Sequence, residues 1–184
     1  MSIPSIDVTL VVGPDSALEA QAIRAGLEAF NVRVLTYWIG RPNDLINIIS
    51  ENESDYMILS FHGVEGELVM PELGEMVYED NEPRKNFGAT EILEYGRLNN
   101  QLVIGNGCTL GDPELANAFL KIGCRAYIGP KDYIDGDATF YFIIRFFYEL
   151  LSNQRSEKEA YELAKSTDQE TCSYEWYSSE IKGK

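Results

Sequence analysis

The sequence predicts an α/β fold of three layers, α/β/α, with a mainly parallel central sheet and helices on both faces. Two observations carry this. Short apolar, β-branched runs alternate with amphipathic stretches along the chain. The runs are apolar throughout rather than every second residue, as expected of strands covered on both faces and joined by right-handed helical crossovers.

The elements follow in order. Ile6 to Gly13 (IDVTLVVG) is a buried strand ending at Gly-Pro. Ser16-x-x-Glu19 has the form of a capping box, and Leu18, Ala22, Leu27 and Phe30 give the helix behind it an apolar stripe. Val32 to Trp38 is a second strand, and Pro42 to Ile49 a helix with Leu45, Ile46 and Ile49 on one face. Tyr56 to Phe61 is a third strand that runs directly into His62-Gly63. The long segment Val64 to Ala89 suggests a hairpin pairing Glu67–Pro71 with Met76–Tyr78, and a charged tip over Glu79–Gly88. Thr90 to Leu98 reads as a helix. Leu102 to Asn106 is a fourth strand, running into Gly107-Cys108. Asp112-Pro113-Glu114 opens the next helix with an N-cap, a first-position proline and a first-turn acid, and Gly123 closes it. Arg125 to Gly129 is a fifth strand and Ala138 to Leu151 a long apolar helix. Ser156-x-x-Glu159 opens a last helix to about Ser166. The tail 167–184, with Tyr174, Trp176 and Tyr177, receives no assigned state.

Composition bounds the function. At 184 residues, the expectation is one domain over 1–184. Thirty Asp+Glu against fifteen Lys+Arg give a net charge of −15, which repels phosphate backbones and argues against nucleic acid as a partner. A single histidine excludes a metal site built on two or more histidines. Three cysteines at 108, 124 and 172, without C-x-x-C, argue against a disulfide framework or zinc ribbon and suit a reducing compartment. The first residues have neither a basic start nor a long apolar run, and no stretch approaches a membrane span, so the expected location is cytoplasmic with no membrane partner.

Sites in open α/β sheets lie at the carboxyl ends of strands. His62 follows the third strand and Cys108 the fourth. Singly, a histidine there is commonly a polar tip, and a cysteine a small buried hydrophobe. Jointly, at the ends of successive strands and beside glycines, they suit thiol catalysis. An imidazole takes the thiol proton and later protonates a leaving amine, and the backbone N–H groups of Gly63 and Cys108 are candidate oxyanion donors. The glycines let a peptide approach the backbone. A receiver domain would need an acidic pair ending the first strand and an aspartate ending the third. Val-Val-Gly and Phe-His-Gly stand there instead.

Ser60-Phe61-His62-Gly63 and Asn106-Gly107-Cys108 resemble the two strand-end motifs of the caspase-like (clan CD) cysteine peptidases, a group that includes caspases, metacaspases, clostripain, gingipain, separase and CHAT domains. The stretch from Leu115 to Gly129, and Asp137-Ala138 with Phe147-Tyr148-Glu149-Leu150-Leu151, are similar to segments of CHAT and clostripain-like members. The resemblance covers about Ile6 to Lys165 and implies a caspase-like fold. It implies a cysteine endopeptidase with Cys108 as nucleophile, His62 as general acid/base, and Gly63 and Cys108 as oxyanion donors. It implies no required cofactor and no metal in the reaction, although some relatives depend on calcium. The partner it implies is a protein or peptide substrate; with no attached repeat or sensor region, recruitment is expected from a regulatory protein or from the long segment 64–89. A catalytically inert caspase-like interaction module is the alternative.

The loop and helix over Thr109–Gly123 leave no place for a caspase-type intersubunit linker. Substrate-binding candidates are Asp15, Asn106 and Asp135. Asn106 stands two before the nucleophile, where relatives line S1. Asp15 follows the first strand, and Asp132, Asp135 and Asp137 follow the fifth. No arginine lies in these loops, so the expected P1 preference is Arg or Lys. Arg84-Lys85 is a candidate self-cleavage site, against the plainer reading of a solvated loop tip.

Overall fold

A computed structural model describes residues 6–178. The N-terminal residues 1–5, on which the expectation about a leader rested, and the last six of the tail lie outside the described residues. The strands are β1 (Asp7–Val12), β2 (Arg33–Trp38), β3 (Tyr56–Ser60), β4 (Gly63–Val64), β5 (Glu67–Leu68), β6 (Leu102–Asn106), β7 (Ala126–Pro130) and β8 (Tyr174–Ser178). The helices are α1 (Ala17–Ala29), α2 (Pro42–Glu51), α3 (Ala89–Tyr95), α4 (Pro113–Lys121), α5 (Gly136–Leu151) and α6 (Glu157–Lys165).

Six strands form one sheet in the order β2-β1-β3-β6-β7-β8. All neighbours are parallel except β7 and β8. Alternate strand residues feed two separate cores. Val8, Leu10, Ile58, Ile104 and Ile128 pack with α1, α5 and α6, while Val11, Met57, Leu59, Val103 and Tyr127 pack with α2, α3 and α4. This is why the inner strands read as continuous apolar runs: each side chain, up or down, meets a helix layer.

One expectation is corrected. The segment after β3 does pair, but as the short hairpin of β4 and β5. The second arm proposed at Met76–Tyr78 is a turn, with Met76 almost fully exposed. Leu68 pairs instead with Phe87, exchanging backbone hydrogen bonds of 2.9 and 3.0 Å. Phe87 is fully buried and brings apolar surface to that pairing, whereas Met76 has nothing to pack against. Arg41, ahead of α2, pins the same segment by two hydrogen bonds to the buried Glu82 carboxylate, 2.7 and 3.0 Å long.

The tail also has a definite place. Residues 171–173 form a 3-10 turn, and β8 then closes the sheet antiparallel to β7. Tyr174 is fully buried, its ring stacked on Phe142 with centroids 3.7 Å apart. The Tyr-Glu-Trp-Tyr run carried the β-propensity that would have revealed this strand.

Candidate active site

The sheet register fixes the two chemically important residues. Ser60 and Asn106 are paired neighbours at the ends of β3 and β6. His62 and Cys108 each lie two residues beyond that pair, so they leave the carboxyl edge at the same height on adjacent strands. The two loops then run backbone against backbone. A Cβ on Gly63 would lie 1.9 Å from the Cys108 carbonyl oxygen, and one on Gly107 would lie 1.9 Å from that of Phe61. Only residues without a side chain permit this approach.

Cys108 is half-buried and His62 exposed. Both line a cleft of about 520 Å³ between the start of α1, the ends of β3 and β6, and the loop into α5. The Cys108 thiol donates to the Ile134 carbonyl oxygen at 3.5 Å. The Cys108 N–H has no hydrogen-bond acceptor among the described residues, which leaves it available to an oxyanion. The next residue, Thr109, has φ +57°, an unusual state for a β-branched residue. It is held there from two sides: its N–H donates to the Asp132 carbonyl (3.1 Å), and its hydroxyl accepts from the Gly66 N–H (3.1 Å). Backbone strain retained beside a reactive side chain is a common feature of functional sites.

The substrate-binding candidates fall differently. Asp15 and Asp135 both line the cleft, and so does Asp137. Asp135 precedes α5 without capping it through its side chain. Asp132 does not line the cleft; its carbonyl serves Thr109 instead. Asn106 is 2 % exposed, and both ends of its amide are engaged. Its Oδ1 accepts from the Tyr174 hydroxyl at 3.0 Å, and its Nδ2 donates to Glu19.

Glu19 is the residue that sequence reasoning missed. The predicted capping box does not form: Ser16 makes no side-chain cap, and Glu19 turns away from the helix start into the cleft. There it meets Asn106 and the Thr139 hydroxyl, 3.0 Å away. Burial pushes its carboxyl above the usual carboxylate range, opposed by those two hydrogen bonds and by the charge of His62. The signal was present, since Glu19 opens a helix directly after a strand end at the site edge, but its spacing from Ser16 suggested the local partner. Among the described residues, the cleft wall therefore carries four carboxylates, Asp15, Glu19, Asp135 and Asp137, and no Lys or Arg.

The remaining candidates lie away from this site. Cys124 is buried, its thiol pushed up to about 12 by desolvation, and Cys172 is exposed. Arg84 pairs with Glu75 at 2.5 Å, and Lys85 pairs with Glu91. Among the described residues, no group of three or more His, Cys, Asp or Glu is placed to hold a metal ion, and no helix is long and apolar enough to cross a membrane.

Known structures share this arrangement of strands and helices. A separase–securin complex from Saccharomyces cerevisiae superposes with a TM-score of 0.60 at 11 % identity, over 96 % of this chain and 12 % of that one. A secreted C11 cysteine protease from Bacteroides thetaiotaomicron, solved with an irreversible peptide inhibitor, gives 0.54 at 10 % identity, over 89 % of this chain and 58 % of that one. The chain has a caspase-like fold. A further structure described as a protease gives 0.51 at 16 % identity, over 75 % of this chain and 31 % of that one. The chain thus spans less than two thirds of each of these proteins. No family model matches it, and no curated protein matches it in sequence. Within the caspase-like fold, His62 and Cys108 lie at the carboxyl edge, in the middle of the sheet.

Proposed function

We propose that the chain is a cysteine endopeptidase acting through Cys108 and His62. The observation that carries this is the equal height of the two residues on adjacent strands, with their loops locked together at Gly63 and Gly107. His62 takes the thiol proton, and the Cys108 sulfur attacks the scissile carbonyl carbon. The carbonyl oxygen becomes an oxyanion facing the N–H groups of Cys108 and Gly63. His62 returns its proton to the amide nitrogen, the C–N bond breaks, and the amine leaves. A water, deprotonated by His62, then hydrolyses the thioester and restores the thiol. No cofactor enters these steps. The similarity to the C11 fold and the segments quoted above favour kinship with CHAT and clostripain-like members.

The preferred P1 residue is Arg or Lys. Four carboxylates, with no Lys or Arg beside them among the described residues, suit a guanidinium or ammonium and repel an acidic side chain. A fluorogenic peptide panel varying only P1 tests this: cleavage after Arg or Lys is expected, lost in Cys108→Ala and His62→Ala. Equal turnover after Asp would overturn the preference.

The second reading, an inert module that engages a regulatory protein, is favoured by one contact. The Cys108 thiol is directed at the Ile134 carbonyl. Iodoacetamide separates the two. An activated thiol labels Cys108 faster than the exposed Cys172, and the advantage vanishes in His62→Ala. Equal, His62-independent labelling supports the module.

A further inference from the structure

A second concave surface lies on the flank of the sheet, away from Cys108. β2 is the edge strand, and β6, which leads to Cys108, is three strands away, or about 14 Å at the usual strand spacing. The helix layer on this face stops short of the edge. α2 directs Leu45 and Ile49 at the inner strands and leaves β2 bare. The result is a groove of about 670 Å³ between α2 and β2. Its apolar floor is Leu35 and Tyr37, 41 % and 42 % exposed, with Ile48 of α2 facing them. Trp38, 53 % exposed, stands at one end.

Among the described residues, the backbone of the same strand is also unpaired on its outer side. Arg33 N–H donates to the Ile6 carbonyl, and Ile39 N–H to that of Val12. In a parallel ladder the alternate residues face the same way, so Arg33, Leu35 and Tyr37 bond to β1 while Val34, Thr36 and Trp38 point outward. Exposed edges are commonly shielded by a lysine, a proline or a bulge. β2 has none of these, and its one basic residue, Arg33, is committed to Asp7.

The charge of the groove selects among occupants. Its lining holds four carboxylates, Asp7, Asp44, Glu51 and Glu53, against the single guanidinium of Arg33. Asp44 lies in the first turn of α2, and Glu51 and Glu53 lie at and beyond its other end, so negative charge flanks the apolar middle on both sides. A second copy of this chain would bring the same carboxylates and a net charge of −15 to the contact. We propose that the β2 edge is a docking site for an extended segment of a partner protein that adds as a seventh strand. On the groove side, that segment presents two apolar residues, at alternate positions, flanked by Lys or Arg. The apolar pair lies on Leu35 and Tyr37, the flanking cations reach Asp44 at one end and Glu51 and Glu53 at the other, and the backbone bonds Val34, Thr36 and Trp38.

The probe is the labelled peptide Lys-Thr-Val-Thr-Val-Thr-Lys, which places both lysines and both valines on one face, measured by anisotropy against the full chain. Its counterpart with glutamates at the ends is the charge control. Thr36→Pro is the decisive variant. It removes an outward N–H, leaves the bonds to β1 and every charge intact, and is the kind of change edge strands tolerate. Binding of the basic peptide is expected, with about tenfold or greater loss for the acidic peptide and for Thr36→Pro. Amide exchange at Val34, Thr36 and Trp38 is expected to slow on binding. Unchanged binding to Thr36→Pro would mean that the peptide only coats an acidic surface, and would overturn the proposal. So would equal affinity for the two peptides, or a concentration-dependent dimer abolished by Thr36→Pro, which would assign the edge to a second copy. Unchanged melting of Thr36→Pro establishes that the variant is folded. If that variant unfolds, Leu35→Lys, which puts a cation on the groove floor, replaces it with the same expected loss.

Discussion

The Tyr174 hydroxyl donates to Asn106 Oδ1 at 3.0 Å and so sets which way the Asn106 amide points. With its oxygen taken, Asn106 turns its NH₂ group toward Glu19. The edge strand β8 thereby orients a carboxylate that arises from the opposite end of the chain and faces the cleft beside His62. Substrate preference, in the proposed reading, rests on a relay running from the C-terminal strand through the fourth parallel strand to the first helix.

Glu19→Gln tests the end of that relay. Glutamine keeps an oxygen for Asn106 and Thr139 but loses the charge. For substrates with Arg at P1, kcat/KM is expected to fall about 10- to 100-fold, the worth of a charged hydrogen bond, with little change for an uncharged P1. Stability is expected to move the other way. Because burial raises the folded-state value above the ordinary 4.5, the folded chain binds this proton more readily than the unfolded one. The ionised group therefore destabilises the fold fully above its raised value and not at all below 4.5. Glu19→Gln should melt higher than the parent at pH 7, and the two curves should converge near pH 4. Identical melting at both pH values would count against the buried carboxylate.

Tyr174→Phe tests its start. The substitution preserves the stack on Phe142 and removes only the hydroxyl. It leaves Asn106 Oδ1 without its donor on a side chain that is almost fully buried. The expected loss is about 1–3 kcal/mol in urea unfolding. The amide is then free to turn over, so the preference for Arg over an uncharged P1 should narrow as well. Loss of stability with an unchanged P1 ratio would show that the bond is structural only.

Most of the architecture was legible in the sequence because the parallel strands are apolar on both faces and bounded by glycine, proline and caps. Asp112 and Ser156 cap as their spacing indicates, Asp112 accepting from the Glu114 and Leu115 amides and Ser156 from that of Glu159. The same S-x-x-E spacing misled at Ser16, because a stronger set of donors, Asn106 and Thr139, is available to Glu19 only after the sheet has formed. The hairpin partner of Leu68 was hidden for a related reason: Phe87 is nineteen residues away, and local patterning favours a nearer arm. His62 and Cys108 stood out because their chemistry is rare in this chain. Glu19 did not, being one acid among thirty.

Glu82→Gln addresses the segment between β5 and α3. The hydrogen bonds of Arg41 hold the Glu82 carboxyl down at about 2 against its burial, with help from the amides of Asn43 and Glu79. A depressed folded-state value means that this contribution is present above the ordinary 4.5 and is lost as pH falls toward 2. The parent should therefore lose stability over that window by more than Glu82→Gln does. At neutral pH, trypsin should cut Glu82→Gln faster at Arg84 and Lys85, since release of Arg41 frees the loop from α2. Equal cleavage rates would place the anchor elsewhere, at the Leu68–Phe87 pairing.

Gly107→Ala tests the contact between the loops that carry His62 and Cys108. A Cβ at this position meets the Phe61 carbonyl oxygen at 1.9 Å and a Leu110 methyl at 3.1 Å. The methyl can move, but the carbonyl is held by the strand that carries His62. The loops must therefore separate, and Cys108 moves relative to His62. Overpacking of this kind costs about 1–3 kcal/mol, which a fold of this size survives. A displacement of about 1 Å between nucleophile and base costs about 100-fold in rate. Gly107→Ala is thus expected to keep its secondary structure and cooperative melting while losing nearly all turnover. Its iodoacetamide labelling of Cys108 should fall to the rate of Cys172. Activity within about twofold of the parent would show that the geometry of the two loops does not govern the reaction.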